Sequence, residues 1–186
     1  MRYLSFVFLL LLSLNAAAQS PAVSRLFQEG TKNATHERFA EALDNYKTAL
    51  FMAENEYLGA DYRARLRFNI GVCYFRLEQY DPAVDQFKSA ILLKKDYARA
   101  HYALGMAETR RREWRHAADS FNRAVMLEPN NSEAWFDLAF ASIGENDLDK
   151  AAHAFAKSIE LGSIDAALSH NNIGVILAVK GDLAAA

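Results

Sequence analysis

Five small residues spaced at a nearly constant interval constrain this chain more than any other feature. Gly30, Gly71, Gly105, Ala139 and Gly174 stand 41, 34, 34 and 35 residues apart. Twelve residues after each comes an alanine: Ala42, Ala83, Ala117, Ala151 and Ala186. Sixteen after comes an aromatic ring, in Tyr46, Phe87, Phe121 and Phe155. Nineteen after comes a small residue (Ala49, Ala90, Ala124, Ser158), and twenty after an aliphatic one (Leu50, Ile91, Val125, Ile159). A bulky residue stands nine after: Phe39, Tyr80, Trp114, Leu148 and Leu183. A period of this length marks an array of supersecondary units, none of which can bury its apolar face without a neighbour.

Segments between turn signals have helical length and spacing, and none alternates as a strand does. The anchor and the Ala twelve on are expected on successive helices that cross closely. Axes about 8–10 Å apart need small side chains there, and a bulky residue at Ala83 or Ala117 is expected to cost about 1–3 kcal/mol. The aromatic and the aliphatic four residues later share a face and are expected to plug the gap between one hairpin and the next. Asp81-Pro82 is expected to supply an N-cap followed by Pro at the first helical position. Asn131 or Ser132 caps another helix, and Gly144 to Asp147 and Gly181-Asp182 mark turns.

The pattern resembles the tetratricopeptide repeat family, through Trp135 with Leu138, Ile70-Gly71 with Tyr74, Leu104-Gly105, Ala117 with Phe121, and Pro129. The resemblance implies an all-α, right-handed superhelical solenoid of antiparallel helix pairs; that this member is exported and bacterial is an expectation from residues 1–18. Four full repeats and the start of a fifth are expected, at about 23–56, 64–97, 98–131, 132–165 and 167–186. Glu29 stands where the first repeat should have an apolar residue, and seven extra residues precede the second anchor. Residues 36–56 are read as a longer second helix with a break near Gly59, an atypical N-terminal cap. The chain stops at Ala186, inside the first turn of an incomplete helix, and reads as a fragment or an interrupted frame.

Residues 1–18 form a separate object. Arg2 precedes an apolar run from Leu4 to Leu14, broken by Ser5 and Ser13, and Ala16, Ala17 and Ala18 follow. This reads as a signal peptide, with 19–186 as the array; an uncleaved anchor is the alternative. The apolar run of 11 residues is short against the roughly 20 a spanning helix needs. An exported protein is expected, periplasmic or extracellular, with no membrane span after cleavage.

The net charge of −2 and pI of about 6.2 argue against a nucleic-acid partner held by bulk positive charge. The single cysteine, Cys73, excludes an internal disulfide and reads as a small core residue. The five histidines include no pair at i, i+4, and HExxH and Gly-rich phosphate loops are missing. No catalytic residue, cofactor or metal site is therefore expected. Arg110, Arg111, Arg112 and Arg115 read as a solvated turn, with an anionic contact as the alternative.

In the family the first helix of each pair forms the concave face. Three residues before the anchors stand Phe27, Phe68, Tyr102, Phe136 and Asn171; one after stand Thr31, Val72, Met106, Phe140 and Val175. These columns, four apart, make one stripe, expected to be exposed and flanked by Arg65, Arg76, Arg99 and Arg110. Two before the anchors runs a polar column of Gln28, Asn69, Ala103, Asp137 and Asn172. In some long arrays of the family an asparagine ladder there hydrogen-bonds a peptide backbone; here Ala103 interrupts it and Asp137 changes its donor character. The candidate groove is Phe68, Asn69, Val72, Phe75, Arg76, Arg99, Tyr102, Met106, Arg110, Phe136, Asp137, Phe140 and Asn172. The family's version that grips chaperone carboxylate tails lacks its Lys here, where Phe27 and Thr31 stand.

The expected function is a protein–protein interaction scaffold binding peptide or helical segments on its concave face. A recognition arm of a larger secreted enzyme or envelope-assembly protein is one alternative. A module that self-associates through its open C-terminal hairpin is another.

Overall fold

The computed structural model describes residues 20–181, in two units meeting at Lys95 and Asp96. The expected signal peptide lies outside the described residues, as do Asp182, Leu183 and Ala186. Every regular element among the described residues is a helix.

The first unit holds α1 (Pro21–Thr35), α2 (Phe39–Asn55), α3 (Ala60–Arg76) and α4 (Tyr80–Leu93). Each packs on the next in chain order. Pro21 opens α1, where its missing N–H costs nothing. The long second helix is present: α2 has 17 residues against 14 in α4. Gly59 then breaks the chain and precedes α3, which takes the rest of the insertion and also reaches 17 residues. Val23, Tyr46, Leu50, Leu58, Leu66, Ile70 and Cys73 form a core in this unit. Burial pushes the Cys73 thiol up to about 11, so this side chain is an inert core group.

The second unit holds α5 (Ala98–Arg110), α6 (Trp114–Leu127), α7 (Ser132–Gly144), α8 (Leu148–Glu160) and α9 (Ala166–Val179). Again each packs on its successor, and α5 also touches α7. Phe121, Val125, Leu138, Phe155 and Ile176 lie in its core. Four helix pairs and a further helix are thus described, as the repeat count implies.

The packing corrects one expectation. The ring sixteen residues after the anchor lies over the anchor of its own hairpin. A Cβ on Gly71 would sit 2.6 Å from Cε1 of Phe87; on Gly105, 2.8 Å from Phe121; on Gly30, 2.8 Å from Tyr46. The anchor is small because a ring occupies the space, and the alanines at 42, 83, 117 and 151 are fully buried beside it. Trp114 presses on Gly144 in the same manner. Among these anchors Gly174 is the exception: no described residue comes within 4 Å of its Cβ position.

The turns carry a feature that residue types hid. Glu37, Glu78, Arg112, Asn146 and Gly181, each seven residues after an anchor, have φ of 60, 59, 60, 66 and 82°. Each ends a first helix in the left-handed region. The following amide closes a Schellman bond where described, as from Gln79 to the Tyr74 carbonyl at 2.9 Å. Asp81-Pro82 is a second correction. Helix α4 starts at Tyr80 with Gln79 before it and no side-chain cap, so Asp81 lies inside the first turn, where its charge suits the helix dipole. Asn131 and Asp147 do cap, accepting from the amides of Ala134 and Lys150 at 3.0 Å each.

Candidate peptide-binding face

In the first unit the predicted stripe is less exposed than expected. Phe27 leans on Tyr46 and Tyr62, with ring centroids 5.6 and 5.8 Å apart, and Phe68 on Phe87 at 5.8 Å. The cause is the ring over each anchor, which leaves the side chain one turn earlier half-buried against it. Asn69 and Val72 on α3 are also half-buried. Arg65 flanks the stripe as expected, its guanidinium 5.0 Å from the centre of Phe27. Phe75 and Arg76 belong elsewhere. Phe75 stacks on Tyr80 at 5.5 Å, and Arg76 lies 4.5 Å over Phe39 and 3.7 Å from Glu37, so both brace turns.

The second unit gathers more of the predicted residues. Tyr102 packs on Phe121 at 5.6 Å. Phe136 and Phe140 both pack on Phe155, at 5.8 and 5.3 Å. Phe140 keeps 38% of its surface exposed. Met106, Thr109 and Arg110 of α5, Asp137 and Phe140 of α7, and Phe121 beneath them line a pocket of about 170 Å³. That is below the range of small-molecule sites, about 300–1,000 Å³, and suits one side chain. Thr109 and Phe121 were not among the sequence candidates. Arg99 is exposed on α5 and does not line the pocket. The Asn172 side-chain nitrogen is buried, with no hydrogen-bond partner among the described residues.

Asp137 carries the electrostatics. The Tyr102 hydroxyl donates to its Oδ2 at 2.7 Å. Burial lifts the Asp137 carboxyl above the ordinary carboxylate range and Glu133 and Asp165 push the same way, while the Tyr102 bond opposes them. Burial and the same carboxylate hold the Tyr102 phenol well above its usual range. A wider open hollow, about 830 Å³, lies at the turn end among Trp114, Arg115, Gly144 to Asp149 and Lys180. Glu145 there pairs with Lys150 at 3.1 Å, and Asp149 with Lys180. Arg111, of the arginine cluster, pairs with Glu113 at 2.9 Å. The sequence reading also missed Glu108, almost fully buried and bonded to Ser120 at 2.7 Å.

Tetratricopeptide repeat models match residues 36–95, 74–132 and 102–163. The chain belongs to the tetratricopeptide repeat family. No curated protein matches it. Among solved structures, a crystal structure of MamA is similar at 25% identity and TM-score 0.72, over 82% of this chain and 84% of that one. A structure of YrrB, described as a TPR protein with an unusual peptide-binding site, matches at 25% identity and TM-score 0.74, over 85% and 77%. The first TPR of Spaghetti (RPAP3), bound to the HSP90 peptide SRMEEVD, matches at 26% and 0.63, over 69% and 97%. Repeat proteins of this kind are generally non-catalytic, and membership supports a protein-interaction scaffold. Among the described residues no helix is long and apolar enough to cross a membrane.

Proposed function

We propose that this chain is an exported scaffold that holds peptide segments of partner proteins on its first-helix face, above all on α5 and α7. The observation that carries the reading is the side-chain-sized pocket at Met106, Asp137 and Phe140, three positions chosen from the repeat pattern. Its apolar wall and few polar groups have the composition of a peptide-anchoring site. The peptide-bound RPAP3 repeat and the YrrB site support it, since both are similar folds that take peptides. Export rests on the pattern of residues 1–18.

Selection from a displayed peptide library tests this. Met106→Asp places a charge in the pocket without removing a ring that packs on Phe155. Peptides selected by the wild-type chain should lose binding to that variant; undiminished binding sinks the reading.

A second reading has its own observation. Among the described residues helix α9 leaves Val175 and Val179 54% and 70% exposed, and no ring lies over Gly174. Such a face favours association between copies or with another helix. Light scattering over a concentration series tests association between copies, and a strict monomer contradicts it.

A further inference from the structure

The α5–α7 pocket also has an electrostatic bias, which rests on the peptide-binding reading but specifies the peptide. Helix α7 presents Glu133 and Asp137 four residues apart, on one face. Asp165, just before α9, lies close enough to act on Asp137. Among the described residues Asp137 has a single hydrogen-bond donor, the Tyr102 hydroxyl, and neither it nor Glu133 or Asp165 is ion-paired. Some acids elsewhere do meet cations: Glu54 lies 2.7 Å from Arg67, and Glu145 3.1 Å from Lys150. Arg110 shares the pocket wall, but among the described residues no cation is ion-paired with Asp137, and a half-buried carboxylate with like charges near it is a costly arrangement. A cation that arrives with the ligand offsets that cost, and it is discriminated from an anion.

We propose that the pocket selects a peptide in which an apolar side chain is flanked by Lys or Arg, the apolar group entering beside Met106 and Phe140 and the cation meeting Asp137 and Glu133. Asp137 has acceptor capacity left after the Tyr102 bond.

Three fluorescein-labelled, capped heptapeptides share a central Leu flanked by two Lys, two Gln or two Glu, and anisotropy with the full chain gives their affinities. The Lys peptide is expected to bind about tenfold more tightly than the Glu peptide at low salt, the gap shrinking as salt rises. Asp137→Asn and Glu133→Gln should each narrow that ratio. Glu133 is solvent-exposed, so its variant keeps the test valid even where Asp137→Asn folds poorly. Equal affinities for all three peptides, with binding abolished by Met106→Asp, overturn the charge selection and leave the groove reading standing. Failure of all three to bind overturns both.

Discussion

The Tyr102 hydroxyl donates a 2.7 Å hydrogen bond to the Asp137 carboxylate across 35 residues of sequence. It joins α5 to α7, the first helices of two consecutive hairpins. A small pocket opens beside the bond, with Asp137 in its wall. The same contact therefore joins neighbouring repeats and fixes the orientation of the acid in the pocket wall.

Tyr102→Phe keeps the ring on Phe121 and removes only the hydroxyl. Asp137 then loses its one hydrogen-bond donor among the described residues while staying half-buried. A loss of about 1–3 kcal/mol is expected in urea denaturation. Asp137→Asn should cost less, because its oxygen still accepts from Tyr102 and no charge is buried.

The raised Asp137 carboxyl sets the sign of a pH effect. A group whose folded value lies above its unfolded value contributes stability that is complete below the unfolded value. That contribution is lost as pH rises through the folded value. The unfolded value is near 3.8, so the loss accumulates from there through the raised folded value. Other carboxylates overlay this trend, so the useful quantity is the Tm of Asp137→Asn minus that of the wild type. It should become more positive between about pH 4 and 7; a flat difference would mean that burial does not disfavour the charge.

Two glycines at the same repeat position should respond in opposite directions. A methyl on Gly71 meets the buried ring of Phe87 at 2.6 Å, and overpacking there should cost about 1–3 kcal/mol. A methyl on Gly174 meets no described residue within 4 Å. Gly174→Ala should gain about 0.5–1 kcal/mol from reduced backbone freedom in a helix interior. Thermal melts of the two variants check the pair.

The left-handed turn residues offer a stabilising change. Glu78 and Arg112 hold φ near 60° with side chains in solvent. Non-glycine residues cost about 1–2 kcal/mol there, partly offset by the extra unfolded-state freedom of Gly. Glu78→Gly and Arg112→Gly should each raise the urea midpoint by a few tenths to about 1 kcal/mol of stability.

The helix pairs were readable because their packing is periodic. Each anchor, alanine and ring recurs at a fixed offset, and the physics of close crossing selects their sizes. Which partner the ring meets was not readable, since a face shared by two residues does not say which helix covers it. The left-handed turns were hidden because Glu and Arg stand where Gly marks such turns in other chains. At the site, periodicity brought out Met106, Asp137 and Phe140. It failed for Phe75 and Arg76, which lie on the same helix as the α3 stripe but one turn too far along and brace a turn. It also missed Thr109, and the Glu108–Ser120 bond, whose residues recur in no column.

The most direct test of the peptide-holding account is site-specific photo-crosslinking in a host that exports the chain. A photoreactive residue at Met106 reports the α5–α7 pocket, and one at Asn122, exposed on α6, serves as the control. The account predicts discrete crosslinked protein bands from position 106 that are lost with a competing selected peptide, and none from position 122. Crosslinks of equal strength from both positions, or none from Met106, would contradict it.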